Sequence, residues 1–160
     1  MRNAIPREGH ATVTIPVNEK EKFEKCMLSF AETIKAELSV TEPGLQITAT
    51  SAAMPDYLMD ADTQNRMLRA VYGCPNGVIR MSDTMEGLVE TSTNLSIVKT
   101  DGETVKVICL LRSSVNSAKT DLTHMMGSIF ELAGAKVEFD GEYPGWKPNP
   151  DSAILKAMQD

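Results

Sequence analysis

Residues 87–114, GLVETSTNLSIVKTDGETVKVICLLRSS, constrain the fold of this chain more than any other stretch. Two runs rich in Val, Ile, Leu and Thr flank Asp101-Gly102, a dipeptide suited to tight hairpin turns. An antiparallel hairpin at the centre of a sheet is therefore predicted. The turn alone leaves its register open. A two-residue Asp-Gly loop pairs Val98 with Val105 and Leu95 with Ile108, which scatters apolar side chains over both faces. A slip of one residue, by a bulge or a three-residue loop, sets Thr93, Leu95 and Ile97 opposite Leu111, Cys109 and Val107. That pairing makes one coherent apolar face, and burial normally decides register, so the slipped pairing is expected. Ile108, Leu110 and Val98 then point the other way, to a second face that is expected to be partly covered. The returning strand closes on Arg112. Position alone explains that charge by the strand reaching water there, since arginine is seldom fully buried unpaired.

Around the hairpin the chain alternates strand and helix signals. Residues 10–17, HATVTIPV, alternate small or polar residues with Ala11, Val13, Ile15 and Val17, and read as a half-buried strand with Pro16 near its exit. Asn18 with Glu21 three residues on forms a capping-box signal for a helix to about Ser39, with a stripe of Phe23, Met27, Phe30, Ile34 and Leu38. Glu42-Pro43-Gly44 stops it, and 45–52 reads as a second strand. Asp60 or Asp62 can start a helix over 63–72. After the hairpin, Asn116 or Ser117 caps a third helix carrying Leu122, Met125, Met126, Ile129, Phe130 and Ala133, which Gly134 ends. Residues 135–139, AKVEF, read as a last strand, 143–148 as a rigid turn segment, and Asp151 or Ser152 as the cap of a closing helix. The order predicts an α+β fold of the ferredoxin-like type, a mostly antiparallel sheet with helices on one face.

Composition narrows function by exclusion. With 42% hydrophobic residues in 160, the chain can bury a core of one domain or two small halves. No run of eighteen apolar residues and no secretory leader is visible, which predicts a cytoplasmic protein without membrane partners. The net charge of −6, with no block of Lys or Arg, argues against nucleic-acid binding. Cys26, Cys74 and Cys109 have no metal-type spacing. Cys26 and Cys109 fall in apolar periodic runs and read as core residues. His10 and His124 stand without ligand partners at short spacing, Asp83 and Glu86 read as a solvated turn, and no phosphate loop or nucleophile elbow occurs. The residues left with a case for function are Asn3, Arg7 and Arg112, polar groups at strand ends or in Pro-containing loops. From residues alone the chain reads as a binding, lid or dimerisation domain.

Four segments together carry a resemblance: MRNAIPRE at 1–8, PNGVIRMSDTMEGLVETSTNLSIV at 75–98, CLLRSSVNSAK at 109–119 and GEYPGWKPNPDSAIL at 141–155. In that order and spacing they resemble the aminoacyl-histidine dipeptidases, Xaa-His dipeptidases of the dizinc exopeptidase superfamily. Residues 18–73 are similar in pattern more than in letters. The resemblance implies a fragment of a longer cytosolic metal-dependent dipeptidase. Residues 1–146 would be most of its inserted lid and dimerisation domain, and 147–160 the start of the return into the catalytic body. The histidines and carboxylates that hold two zinc ions, and the general-base glutamate, would lie in that body, so no catalytic or metal residue is expected here.

The matched residues imply roles one by one. Asn3 aligns with a lid asparagine that reaches the substrate near the metals. Arg112 aligns with an arginine that clamps the dipeptide's terminal carboxylate in a bidentate fork. Tyr143, Pro144, Gly145 and Trp146 form the junction where lid rejoins body, with Trp146 expected to pack there. The implied partners are a dipeptide substrate, the parent catalytic domain and a second copy in a homodimer, and the isolated fragment is expected to be inactive. Two alternatives remain open at this point: a stand-alone ferredoxin-like ligand-binding regulatory or dimerisation module, and a protein-interaction module that uses its sheet edges.

Overall fold

The hairpin is the central feature of the computed structural model, which describes residues 1–146, 148–149 and 151–159. Strands β2 (Val89–Asp101) and β3 (Thr104–Ser113) run antiparallel, and β1 (Gly77–Met81) pairs along the other edge of β2, giving the order β1-β2-β3. Asp101 pairs with Thr104, so the loop residues are Gly102 and Glu103, one position later than the Asp-Gly signal suggests. Gly102 takes φ 57°, the positive value that the first loop position of a type II′ turn requires.

Between Leu95 and Ile97 the ladder shifts register, and Ser96 is the extra residue. On the far side of this bulge Leu95 pairs with Cys109, Thr93 with Leu111 and Ser92 with Arg112, the slipped pairing expected from burial. On the tip side Ile97 pairs with Ile108, not with Val107. A two-residue turn and a continuous apolar face demand registers that differ by one, and the bulge satisfies both. Its consequence is that Ile97 moves to the face of Ile108, Leu110 and Arg112, while Val98, opposite Val107, replaces it on the face of Leu95.

That face is covered by α3 (Asn116–Leu132). Leu122 and Met126 on α3 are buried with Cys74, and Leu95, Cys109, Leu111 and Phe130 pack against them. Burying a side chain of this size contributes about 1.5–3 kcal/mol, which makes this cluster the main adhesive between hairpin and helix. Cys74 is delivered by α2 (Ala61–Gly73), which lies against α3. Helix α2 starts as expected, with the Asp60 carboxylate accepting from the Thr63 N–H at 3.0 Å. Helix α3 ends in paired bonds around Gly134: its N–H reaches the Glu131 carbonyl, and the Ala135 N–H reaches that of Phe130. Its start differs from expectation. Neither Asn116 nor Ser117 caps it; Val115 is the N-cap, without a side-chain cap bond. Asn116 is the first helical residue, and its carboxamide is engaged elsewhere.

The chain divides into two compact units, Gly9–Leu58 and the remainder, Met1–Glu8 with Met59–Asp160. The first unit holds α1 (Lys20–Glu37), entered through a 3-10 turn at Val17–Glu19. That turn, following Pro16, displaces the Asn18 cap that the sequence suggested; Glu19 is the N-cap and makes no side-chain cap bond. Phe23, Met27, Ile34 and Leu38 are half-buried and Ala31 buried, whereas Phe30 and Cys26 of the expected core stripe are exposed.

The α+β class with an antiparallel sheet and helix packing holds. The strands expected at 10–17, 45–52 and 135–139 form no ladder. An alternating pattern shows that a segment could fill a sheet, but a strand also needs a neighbour, and the described residues supply none for these three. In the last of them the ring of Phe139 lies against Gly127 of α3, 3.8 Å from where a Cβ would stand. Helix α4 (Ala153–Gln159) occupies the expected closing position. The domain boundary expected at 146/147 falls on Lys147, which with Pro150 and Asp160 lies outside the described residues.

Candidate functional site

Register decides where Arg112 points. It stands opposite Ser92, on the face turned away from α3, and is exposed. There its guanidinium Nη2 donates to Asn3 Oδ1 at 2.9 Å. Two residues separated by 109 positions, both singled out in the sequence, are thus in direct contact. The partner is a neutral carboxamide, so this contact orients the guanidinium without neutralising it. A planar cation with donors to spare, steadied on an open surface, is suited to a planar anion such as a carboxylate.

The short segment carrying Asn3 is held by side chains of β2. Ser96 Oγ donates to the Arg2 carbonyl at 2.5 Å, and Asn94 Nδ2 donates to the Ala4 carbonyl at 2.8 Å and, more weakly, to that of Arg2 at 3.4 Å. Farther out, Arg2 pairs with Asp140 at 2.8 Å between two exposed side chains, a contact worth little in water. Asn94 and Ser96 were not singled out from sequence. They are two polar residues in a strand full of Thr, Ser and Asn, and only the bulge distinguishes them.

The junction residues are brought to the start of α3. The Gly145 N–H donates to Asn116 Oδ1 at 2.7 Å, which explains why Asn116 does not cap its own helix. A Cβ on Gly145 would sit 2.7 Å from the Ser114 carbonyl carbon and oxygen, so only glycine permits this approach. The mostly buried Lys119 ammonium bonds the Tyr143 carbonyl and pairs with Glu142 at 3.3 Å. Tyr143 and Pro144 are exposed, and Trp146 is 81% exposed within this chain.

Other candidates lead away from chemistry. Arg7, His10, His124, Asp83 and Glu86 are all exposed, and the last two sit in a turn where Ser82 Oγ accepts from the Thr84 and Met85 N–H groups. A shallow cavity of about 310 Å³ lies between β1, β2 and α3, lined by Arg80, Thr91, Asp121 and Met125 among others; neither Asn3 nor Arg112 reaches it. Arg80 there is held by Glu90 at 2.5 Å. Cys74 Sγ lies 3.8 Å from Met126 Sδ in the core, and Cys109 packs against the same cluster. The neighbouring thiol and burial push Cys109 well above the usual thiol range. Among the described residues no group of three His, Cys, Asp or Glu side chains could hold a metal ion, and no helix is long and apolar enough to cross a membrane.

No protein-family model matches the chain. It is 35% identical over 160 residues to the cytosol non-specific dipeptidase of Escherichia coli (strain K12), covering all of this chain and 33% of that protein. The crystal structure of aminoacylhistidine dipeptidase from Vibrio alginolyticus superposes with a TM-score of 0.84 at 38% identity, over 89% of this chain and 29% of that one. The chain therefore spans about a third of the length of the relatives it matches, and is homologous to them in sequence and in fold.

Proposed function

We propose, from this homology to the dipeptidases, that the chain serves as the substrate-binding lid of a metal-dependent dipeptidase acting on Xaa-His dipeptides. The observation that carries the reading is the Arg112–Asn3 contact on the sheet face turned away from the core. Arg112 binds the free carboxylate of the dipeptide through the guanidinium edge that Asn3 leaves open. Fixing the chain end at Arg112 sets how far the scissile bond lies from it, which selects dipeptides over longer peptides. Asn3 spends its carbonyl oxygen on Arg112, which turns its amide N–H groups outward as donors for the substrate backbone or the developing oxyanion.

Two divalent metal ions, zinc in this reading, would be held by another part of the protein; among the described residues no group of His, Cys, Asp or Glu side chains fits a metal. The chain alone is inactive, and its activity, a cytoplasmic setting and a homodimeric assembly belong to the complete protein. The 142–146 segment, pinned to α3 through Gly145, is the rigid exit towards that remainder, with Trp146 presented for packing against it.

The test is Arg112→Ala in the complete enzyme. Losing charge-assisted bonds of about 1.5–3 kcal/mol should lower kcat/KM roughly 10- to 150-fold, chiefly through KM, with bound metal unchanged. Arg112→Lys should recover only part of this, since an ammonium lacks the planar fork. Loss of metal, or an unchanged KM, would count against the clamp.

A further inference from the structure

We infer that Asn94 and Ser96, brought together at the β-bulge, are positioning residues that hold Asn3 and, through it, Arg112 in the substrate-binding arrangement. The inference rests on the reading of Arg112 as a carboxylate clamp, and names what in the chain keeps that clamp in place.

Arg112 alone cannot be well ordered. It is a long, exposed side chain at the end of a strand, with substantial rotamer freedom to lose. Asn3 restrains it, but Asn3 lies in a short segment, residues 1–8, with no helix or ladder of its own. That segment depends on side-chain bonds from β2. The two carbonyls that Ser96 and Asn94 bind, those of Arg2 and Ala4, flank Asn3 on either side, so both ends of the Asn3 unit are restrained.

The donors are themselves organised. Asn94 Nδ2 lies 3.1 Å from Ser96 Oγ, and Ser96 Oγ also lies 3.1 Å from the Asn94 carbonyl. Ser96 is only 7% exposed, so its hydroxyl is committed to these partners rather than to water. As the extra residue of the bulge it has no partner across the ladder, and its side chain is free to serve the neighbouring segment. Bulge, Ser96, Asn94, Asn3 and Arg112 thus form a continuous polar chain.

Two measurements test this. In this chain, Ser96→Ala and Asn94→Ala should each move the NMR signals of the Asn3 side-chain amide and the Arg112 Nε–H, while Ser96→Thr, which keeps the hydroxyl, should restore them. In the complete enzyme each alanine variant should raise KM for a dipeptide about tenfold, the equivalent of one hydrogen bond, with little change in kcat. Combined with Arg112→Ala, Ser96→Ala should add almost nothing to the loss, whereas a general packing defect would add in full. Should Ser96→Ala fail to fold, Asn94→Asp replaces it: half-buried and nearly isosteric, it removes both donors. Unmoved Asn3 and Arg112 signals, or full additivity with Arg112→Ala, overturn the positioning role. If Arg112→Ala leaves KM unchanged while the signals still move, the clamp reading fails and the positioning of Asn3 and Arg112 stands.

Discussion

The Gly145 N–H donates to the Asn116 carboxamide across 2.7 Å, so the first residue of α3 spends its side chain on a segment 29 positions away instead of on its own helix. The contact is possible because Gly145 has no Cβ, which would meet the Ser113 and Ser114 carbonyls at 2.7–2.9 Å. Gly145→Ala should therefore force the segment off α3 and cost about 1–3 kcal/mol in a urea titration. Asn116→Ala should leave the fold intact and speed hydrogen exchange at the Gly145 amide. An alanine at 145 that changes neither stability nor exchange would show that the close approach is not needed.

Thr93 is 4% exposed, faces the core beside Leu111, and its hydroxyl has no hydrogen-bond partner among the described residues. An unpaired buried hydroxyl costs about 1–3 kcal/mol, and valine has nearly the same shape. Thr93→Val is expected to stabilise the chain by roughly 1 kcal/mol, read as a higher urea midpoint with an unchanged slope. A destabilised variant would mean that the hydroxyl finds a partner in solution.

The Asp60 carboxyl is held below its ordinary range by hydrogen bonds from Thr63 at the start of α2. A carboxyl whose folded pKa is depressed adds stability above its unfolded value, near 3.8, and loses it as pH falls below that point. Thermal melts of the unsubstituted chain should therefore lose this contribution as pH falls below about 4. Asp60→Asn keeps a capping oxygen without a titrating group, so its melts should fall less steeply over that window. Identical acid profiles for the two proteins would remove Asp60 from the account.

Cys26 is exposed, whereas Cys74 is buried and Cys109 half-buried with its thiol pushed up by Cys74 and by burial. A maleimide or disulfide reagent must reach the sulfur, so near neutral pH it should label Cys26 in the native chain; burial spares Cys74, although Cys109 lowers its pKa, and the raised pKa together with partial burial spares Cys109. All three should react after denaturation. Rapid labelling of Cys109 in the native chain would contradict its placement in the core.

The hairpin was legible because burial demands a single apolar face, and Thr93–Leu111 and Leu95–Cys109 meet that demand. A bulge was one of two readable routes to that face, but its place at Ser96 was not legible, because turn geometry and face geometry each propose a register and only the structure shows both in force. Asp60 was readable as a cap since its partner is three residues away. Asn18 and Asn116 misled for a common reason: a capping side chain is only a donor–acceptor set, and a preceding Pro16 turn or a distant Gly145 amide can outcompete the local use. Residues 10–17, 45–52 and 135–139 carry alternation but no information about who pairs with them. Nothing in periodicity joins Asn3 to Arg112; the resemblance gave each its own role, and their contact comes from the fold. Asn94 and Ser96 gave no signal, because their role depends on a bulge.

At the opposite end of the hairpin, the Gly102–Glu103 tip is exposed, and the strand from Thr104 to Arg112 is roughly 26 Å long at about 3.3 Å per residue. The register change at Ser96 lies between the two ends, so pairing near the tip and pairing near Arg112 are set separately. The tip is thus a handle: a fluorophore or a short peptide tag placed there would report on the hairpin from a distance without altering which way Arg112 faces.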